Sequence, residues 1–245
     1  MNNHFTVIIP AFNCEMWVVN NLSSVFRQNY KNYKVVYIDD CSTDNTFAWA
    51  ESLLDESGVD FEIIKNDKNK KALCNLYTHI HRCKEDTIIV TLDGDDSFAG
   101  VNVFETLNKH YQDPNCWMTV GSYMQNDNYT VVSPRVSDGY WEKNIRKLPW
   151  SFSHLRTFRK KLFCKIDKED LLDLDGRFFQ CTFDRAMMYP MVEMSGKDRV
   201  RLIDDILYIY NRNNPISVDR VQRYDQLRIE KLVCNKKPYK KLDNL

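Results

Sequence analysis

The feature that most constrains the fold of this chain is an apolar run that ends in a cluster of acids. Residues 87–92 read Thr-Ile-Ile-Val-Thr-Leu, which is typical of a strand covered on both faces in a parallel sheet flanked by helices. Asp93, Asp95 and Asp96 follow directly, with Gly94 among them. Because parallel sheets bind ligands beyond the carboxyl ends of their strands, this segment predicts a functional site.

The acidic cluster also indicates what the site binds. Like charges this close together are costly unless a cation lies among them. Mg²⁺ and Mn²⁺ prefer carboxylate oxygens and commonly bridge to the phosphates of a substrate. The alternative is a solvated acidic turn, which an isolated Asp-x-Asp would favour. The position at the end of a buried strand favours the metal.

Strand and helix patterns alternate through the first half of the chain. Apolar strands are expected at Phe5–Ile9, Lys34–Ile38, Phe61–Ile64 and 87–92. Amphipathic helices are expected over Glu15–Gln28 and around Leu73–Ile80. A third is expected between them, with Ser42 or Asp44 as its N-cap and Gly58 as its stop. The βαβαβαβ order predicts an α/β fold with a wound, mostly parallel sheet flanked by helices.

The pattern becomes less regular in the second half. A helix is expected over Val103–Tyr111, a strand over Cys116–Met124, a helix over Met187–Met194 and a strand over Arg199–Tyr210. We therefore divide one continuous domain into residues 1–125, a smaller half at 126–218, and a C-terminal helix with a basic tail at 219–245. The lysines of the tail predict a solvated, frayed end.

Composition excludes several classes of protein. Lysine plus arginine and aspartate plus glutamate number 34 each, which predicts no bulk affinity for nucleic acid. We find no apolar run long enough to span a bilayer and no signal peptide at the N-terminus, so a cytoplasmic location is expected. The eight cysteines are scattered without a Cys-x-x-Cys pair, which predicts free, buried thiols.

A second acidic pair, Asp39-Asp40, follows the second expected strand. In a wound sheet this pair and the Asp93–Asp96 segment can share one crevice. One could hydrogen-bond a base or a ribose while the other holds a metal against a diphosphate. The glycine-rich phosphate loops are absent, and the chain has only seven glycines. This disfavours a Rossmann dehydrogenase and a P-loop NTPase.

Three segments in this order resemble the inverting nucleotide-sugar glycosyltransferases of family 2, which have the GT-A fold: Val7–Asn13, Asp39–Thr46 and Leu92–Asp96. The resemblance implies transfer of a sugar from a nucleoside-diphosphate sugar, with UDP the expected nucleotide, to a hydroxyl of a glycan or another acceptor. It implies Mn²⁺ or Mg²⁺ as the cofactor. Residues 1–125 would then be the nucleotide-sugar-binding half, and residues 126–218 the acceptor-binding half.

The same resemblance implies the roles of individual residues. The base would lie against the loop at Pro10-Ala11 and against Asp40. The neighbouring residues Phe12, Asn13 and Asp39 would also bind the nucleotide-sugar. Asp93 would lie near the ribose and the metal, and Gly94 would also bind the nucleotide-sugar. Asp95 and Asp93 would be the metal ligands. Further donor contacts are implied for Lys71, Asn75 and Arg212, the last in a Tyr-Asn-Arg stretch that resembles a segment often lying over the diphosphate.

The chain also departs from the family pattern. Phe12 stands where Tyr is usual, and Cys74 stands where an Arg is usual. Lys70, Lys71 or Arg82 are therefore candidate phosphate partners. The Gln-x-x-Arg-Trp pattern of processive members is absent, which predicts addition of a single sugar.

Family members carry the catalytic base at the start of a helix in the acceptor half. The segment Cys181–Ala186 occupies that place, so Asp184 is the candidate base; its alternative role is to cap the helix. Rival acids are Asp170, Asp173 and Asp175. An acceptor pocket or ordinary core packing could explain Trp150, Phe152, His154, Phe158 and Arg159. Arg156 and Arg159 are also candidates for contact with the diphosphate or with acceptor charge.

Two other functions remain open at this point. A sugar-nucleotide nucleotidyltransferase shares the wound sheet and the acidic metal site, although it usually begins with a glycine-rich loop that Pro10–Asn13 does not provide. A domain that binds nucleotide-sugar or glycan without turnover is the non-enzymatic alternative.

Overall fold

The computed structural model describes residues 2–221 and 223–245, and its strands form one sheet. The strands are β1 Phe5–Ala11, β2 Tyr33–Asp39, β3 Asp60–Lys65, β4 Ile88–Thr91, β5 Ser97–Phe98, β6 Met118–Gln125, β7 Val131–Val132, β8 Arg156–Arg159 and β9 Val200–Tyr210. Eight of them lie in the order β3-β2-β1-β4-β8-β6-β9-β5, and β7 pairs with β6.

Helices connect and cover these strands. They are α1 Val18–Phe26, α2 Thr46–Ser57, α3 Ala72–Arg82, α4 Val103–Tyr111, α5 Lys160–Phe163, α6 Phe183–Ser195, α7 Val218–Val221 and α8 Arg223–Asn235. Gly58 ends α2 in the left-handed region with φ of 67°, as its sequence position predicts, because glycine adopts this conformation without steric cost.

The predicted α/β fold is confirmed, and the two halves of its sheet differ. Strands β3, β2, β1 and β4 are all parallel. Beyond them the sheet is mixed, because β8 runs antiparallel to both β4 and β6 while β6 and β9 are parallel. The sequence pattern did not reveal β8, whose flanking residues mix aromatic, aliphatic and basic side chains.

Both faces of the sheet are buried, which explains the wholly apolar strands. Successive residues of β1 point to opposite faces. Ile8 belongs to one core cluster together with Leu76 of α3, whereas Val7 and Ile9 belong to the other together with Leu22 of α1.

Strand β1 runs further than its sequence predicts. Pro10 was expected to end the strand, but it pairs with Ile38 and the strand continues to Ala11. The Pro10 carbonyl points to the side of β4, since it accepts from the Gly94 N–H. Backbone pairing continues past Thr91 on that side, since the Leu92 N–H donates to the Ile8 carbonyl at 3.1 Å. Pro10 has no N–H for the bond that would come next, and β4 ends at Thr91.

Helix α1 begins at Val18 rather than at Glu15. The residues before it instead bind the loop that precedes α2. The Glu15 carboxylate accepts from the Asn45 N–H at 3.0 Å, and the Asn13 N–H donates to the Ser42 hydroxyl at 2.9 Å. Ser42 is therefore not the N-cap of α2, and Asn45 occupies the N-cap position.

The prediction of a frayed C-terminal tail is wrong, because the tail packs against the body of the protein. Tyr239 donates its hydroxyl to Asp170 at 2.6 Å, and the Leu242 N–H donates to the Met194 carbonyl at 2.9 Å. Lys241 pairs with Asp198 at 2.9 Å. Leu242 and Leu245, which are partly buried, also pack against the core, so apolar and polar contacts together hold a segment whose sequence is mainly basic.

The cysteines differ in their exposure. All eight cysteines are free thiols, as predicted, although only Cys14, Cys116 and Cys181 are buried. Among the described residues, no helix has the length and apolar character needed to cross a bilayer.

Candidate active site

The two acidic segments meet at the end of β1. The Asp40 N–H donates to the Ala11 carbonyl at 2.8 Å, and the Gly94 N–H donates to the Pro10 carbonyl at 3.2 Å. This follows from the strand order, because β1 lies between β2 and β4 and all three end on the same side. The acidic pair and the acidic cluster therefore flank one two-residue segment, as the sequence predicts.

Gly94 is required by this close approach. A Cβ atom at position 94 would lie 2.7 Å from the Cβ of Ala11 and 2.9 Å from its Cα. The contact involves the backbone and the short side chain of Ala11. Neither Ala11 nor residue 94 could move aside without displacing the loop that carries it.

We expect Gly94→Ala to destabilise the protein by about 1–3 kcal/mol, the usual cost of overpacking, and to weaken ligand binding at the acidic loop. Thermal or urea unfolding measures the first effect. Gly139→Ala is the matched control, because a Cβ there meets no atom within 4 Å. Equal stability of the two variants would show that the close approach is unimportant.

Asp40 anchors the loop that leads into α3. Its Oδ1 accepts from the Asn66 side chain and the Lys70 N–H, both at 2.9 Å, and its Oδ2 accepts from the Lys71 N–H at 2.7 Å. The residue is 3% exposed. Its predicted contact with a nucleotide base stays a prediction, and its established partners are these loop atoms.

An exposed aromatic ring lies beside this loop. Phe12 is 37% exposed, and the Lys71 ammonium lies 5.9 Å from the centre of its ring. Asn13, Cys41 and Lys71 all have positive φ, at 51°, 67° and 69°. Non-glycine residues in this region are strained and are frequent at ligand-binding sites. The three come from the loops that follow β1 and β2 and that precede α3.

Asp39 and Asn75 lie below the surface, as Asp40 does. Asp39 is 0% exposed and accepts from the Ser42 N–H at 3.2 Å, and Asn75 is 1% exposed and accepts from the Asn66 side chain at 2.9 Å. Within the described chain, Asp39 Oδ1 and Asn75 Nδ2 have no hydrogen-bond partner.

Asp93 and Asp95 face different neighbours. Asp93 Oδ2 accepts from Arg156 Nη2 at 3.1 Å, and the side chain of Asp93 is 25% exposed. Asp95 Oδ2 accepts from the Asn214 side chain at 2.7 Å. Both carboxylates are therefore held by residues from the second half of the chain while remaining partly open to solvent.

Asp96 is a buried anchor. Its Oδ2 accepts from the Tyr208 hydroxyl at 2.5 Å, and its Oδ1 accepts from the Asn211 N–H at 2.6 Å. Burial, followed by the charges of Asp95 and Asp93, raises the pKa of Asp96 well above its usual value. This residue fixes the acidic loop to the end of β9.

His154 is brought to the acidic loop from just before β8. Its ring stacks on Tyr208, with centres 4.4 Å apart and planes at 17°. Burial and the Arg156 charge hold its pKa well below the usual value, so the imidazole is neutral and its nitrogens can serve as ligands. Within the described residues, Nδ1 is buried without a partner.

One group of side chains near the loop has the spacing of a metal site. Asp93, Asp96 and His154 each present a ligand atom within 4.8 Å of those of the other two. The family resemblance implies Asp95 and Asp93 as the ligands, whereas the sequence predicts an acceptor pocket or ordinary core packing for His154. No local pattern marks His154 as a ligand, because the antiparallel course of β8 brings its amino end to this edge.

Asp184 lies in the first turn of α6 and is partly exposed. Across the described residues, no group hydrogen-bonds to its carboxylate, so the predicted alternative of helix capping is not observed. The rival acids are occupied elsewhere: Asp170 by Lys236 and Tyr239, and Asp173 and Asp175 by Arg177.

The loop after β9 borders the acidic cluster. It contains Asn211 and Asn214, which contact Asp96 and Asp95, and Arg212 lies between them. The Arg212 N–H donates to the Asn126 side chain at 2.8 Å. Arg82, in contrast, ends α3 beside Glu62, with the two 3.5 Å apart. Arg82 is thus far along the helix from Lys71, which disfavours it as a phosphate partner.

The predicted aromatic acceptor pocket is mostly core. Phe152 and Phe158 are 0% exposed, so ordinary packing explains them. Arg159 Nε donates to the Cys116 carbonyl at 2.8 Å and holds a turn at the opposite end of β8. Trp150 is only partly buried and packs edge-on against Tyr189.

Comparison with known proteins identifies the family. The chain matches the profile of Glycosyl transferase family 2 over residues 6–171. This is more than half of its length, and the chain therefore belongs to that family. The resemblance predicted from three short segments is confirmed, and with it the assignment as a glycosyltransferase enzyme.

Individual relatives are distant. Glycosyltransferase GlyG of Streptococcus pneumoniae is 23% identical over 232 residues, covering 87% of this chain and 72% of GlyG. The putative glycosyltransferase EpsE of Bacillus subtilis is 31% identical over 91 residues, which cover 37% of this chain and only 32% of EpsE. Staphylococcus aureus TarS residues 1–349, solved with UDP-GlcNAc, gives a TM-score of 0.65 at 14% identity, covering 94% of this chain and 66% of that one.

A second solved structure shares the fold. The mannosyltransferase PcManGT of Pyrobaculum calidifontis, solved with GDP-Man and Mn²⁺, gives a TM-score of 0.65 at 18% identity. The superposition covers 98% of this chain and 66% of PcManGT. The predicted GT-A fold is confirmed by these likenesses.

Proposed function

We propose that this protein is a metal-dependent, inverting glycosyltransferase that moves one sugar from a nucleoside-diphosphate sugar to a hydroxyl group of a glycan or another acceptor. The observation that carries this proposal is the meeting of two acid-bearing loops at Pro10–Ala11. Such a junction offers a metal, a diphosphate and a nucleoside one common edge of the sheet. UDP is the expected nucleotide, although related folds are solved with UDP-GlcNAc and with GDP-Man.

The base of the nucleotide would lie against the end of β1. The exposed Phe12 ring offers an apolar face between Ala11, the last residue of β1, and Asn13 of the following loop. Lys71, held by Asp40, lies beside that ring. Lys70, Lys71 and Arg212 are the cations from these loops that we assign to the diphosphate; Asp39 and Asn75, which are buried, would support the loop from below.

The acidic loop suits a divalent cation. We assign Asp95 and Asp93 as the ligands of Mn²⁺ or Mg²⁺, since both carboxylates are partly open to solvent. Imidazole and carboxylate groups also suit Mn²⁺, so Asp93, Asp96 and His154 form the alternative ligand set. In that set the charge of the bound cation would have to offset the raised pKa of Asp96. When bound, the metal supplies a Lewis acid for the charge on the departing diphosphate.

Asp184 is the general base of the proposed reaction. The acceptor oxygen forms a bond to the anomeric carbon while the bond from that carbon to the diphosphate breaks, and Asp184 takes the hydroxyl proton. A single displacement of this kind inverts the configuration. The partly exposed carboxylate without a hydrogen-bonded partner among the described residues supports this role.

Ligand-induced stabilisation tests the donor and the metal together. We expect one of UDP, GDP and TDP to raise the melting temperature in the presence of Mn²⁺ and to have a much smaller effect without it. At a hundredfold excess over Kd, the gain is about 2.7 kcal/mol, or roughly 5–10 °C for a chain of this size. No stabilisation by any nucleotide, with or without metal, would contradict the proposal.

Turnover requires a second measurement. A screen of nucleoside-diphosphate sugars that reports nucleotide release, followed by mass analysis of the product, should find one sugar added per acceptor. Family membership sets the nucleotidyltransferase aside, and the screen excludes the non-catalytic alternative. The cytoplasmic location and the division at residues 125 and 218 stay predictions.

A further inference from the structure

The start of β8 places a buried arginine beside the acidic loop. Arg156 pairs in register with Thr91, the last residue of β4, and with Val120 of β6. The residue is 2% exposed. Since burying a guanidinium is costly unless it is paired, its partners indicate what it does.

Those partners belong to the two ends of the proposed site. Arg156 Nη2 donates to Asp93 Oδ2 at 3.1 Å on the donor side. On the other side, the guanidinium carbon lies 5.6 Å from the centre of the Phe183 ring, next in sequence to Asp184. The charges of Asp93 and Asp184 both stabilise the guanidinium against its burial. Arg156 is therefore a fixed cation between the donor-side acid and the candidate base.

The contact restrains Asp93 more strongly than solvent could. Asp93 is partly exposed, whereas its partner is locked into the sheet on both sides. Because its donor belongs to a rigid strand, this hydrogen bond between charged groups selects one orientation of the Asp93 carboxylate.

We propose that Arg156 is a positioning residue that holds the Asp93 carboxylate in the orientation that binds the nucleoside-diphosphate sugar. This inference rests on the proposed function, and it predicts that the effect of Arg156 on binding passes through Asp93. It does not require any contact between Arg156 and the donor.

A double-mutant cycle tests this route. The probe is UDP with Mn²⁺, or GDP with Mn²⁺ if the parent prefers it, and the readout is Kd from calorimetry. We expect Arg156→Gln to weaken binding by about 10–100-fold, the value of a hydrogen bond between charged groups. In an Asp93→Asn background the same substitution should change Kd less than about threefold, since the group it orients has gone.

Arg156→Lys separates the effect of the positive charge from the effect of the guanidinium geometry. Lysine keeps the charge but offers no planar fork, so we expect an affinity between those of the parent and Arg156→Gln. It also provides a folded variant if Arg156→Gln does not fold, since it keeps a cation beside the Asp93 carboxylate. With the full donor, the KM should rise by a larger factor than the kcat falls.

Arg146→Gln is the matched control for loss of a buried ion pair. Arg146 binds Glu193 through two contacts of 2.7 Å, and its side chain is 1% exposed, but it lies beside the opposite end of α6 from Asp184. We expect this variant to melt at a lower temperature while retaining the parental Kd for UDP.

Several outcomes would overturn the inference. The first is a parental Kd in Arg156→Gln or, should that variant not fold, in Arg156→Lys. The second is that the losses of affinity multiply in the double variant, which would indicate direct contact between Arg156 and the nucleotide. The third is an equal loss of affinity in Arg146→Gln. If the parent binds neither UDP nor GDP, the proposed function itself fails, and the inference fails with it. If the parent binds but the Arg156 variants do not differ, only the inference fails.

Discussion

Asp95→Asn is expected to lower the rate of sugar transfer by about a thousandfold, the loss seen when a preorganised group that stabilises transition-state charge is removed. Asp95 lies in the loop that directly follows β4, and its carboxylate already accepts a hydrogen bond from Asn214. Asparagine can keep that packing but removes the negative charge that a divalent cation requires. Nucleotide release from the preferred donor, measured against Mn²⁺ concentration, should show the loss.

An acid at the other end of β4 offers a control for this substitution. Asp86 is exposed at the amino end of β4, away from the site, so Asp86→Asn should transfer sugar at the parental rate. Parental activity in Asp95→Asn would remove the metal assignment from this residue. The Asp93, Asp96 and His154 set would then be the remaining candidate among the described residues.

Asp184→Asn is expected to reduce turnover by about a thousandfold, within the usual contribution of a general base, while leaving nucleotide binding unchanged. The amide cannot accept the proton of the acceptor hydroxyl. Asp184 also makes no hydrogen bond within the described chain that the substitution would break, so the fold should be preserved. Single-turnover transfer and the Kd for UDP with Mn²⁺ measure the two halves of this prediction.

Asp175→Asn provides the comparison for that result. Asp175 is an exposed acid whose partner is Arg177, and it was one of the rivals to Asp184 in sequence. We expect full activity from it. If Asp184→Asn were fully active, or if Asp175→Asn were the inactive variant, the base would have to be sought elsewhere.

The two substitutions also separate binding from chemistry. Asp95→Asn should lose the part of the thermal shift with nucleotide that depends on metal, whereas Asp184→Asn should keep all of it. A variant that loses transfer but keeps this shift has lost a step after binding. This comparison needs no knowledge of the acceptor, because it measures the donor complex alone.

Local patterns in the sequence were sufficient for the first half of the fold. The apolar strands β1 to β4 and their amphipathic helices carry strong periodicities, and they occur in an order that allows a wound sheet. The position of Asp39-Asp40 and Asp93–Asp96 at strand ends then follows from geometry. Even here two boundaries shifted. Pairing with β2 extended β1 past Pro10, and a contact between loops replaced the helical start expected at Glu15.

The second half of the fold depends on long-range pairing. Strand β8 is short and carries Arg156 inside the sheet, so it has neither the alternation nor the apolar run of a recognisable strand. Its neighbours β4 and β6 supply its hydrogen bonds and its burial. The C-terminal tail was predicted to be frayed for the same reason, because the contacts that hold it come from residues far away in the chain.

By itself, the sequence determined that this chain forms an α/β sheet with acids at two strand ends and belongs among the glycosyltransferases of family 2. Only the tertiary structure decided which groups those acids contact. It ties Asp40 to the Lys70–Lys71 backbone, Asp96 to Tyr208, and Asp93 to Arg156. The physical reason is that periodicity encodes which face of an element is buried, whereas these contacts join residues far apart in the chain whose meeting depends on how the strands pair.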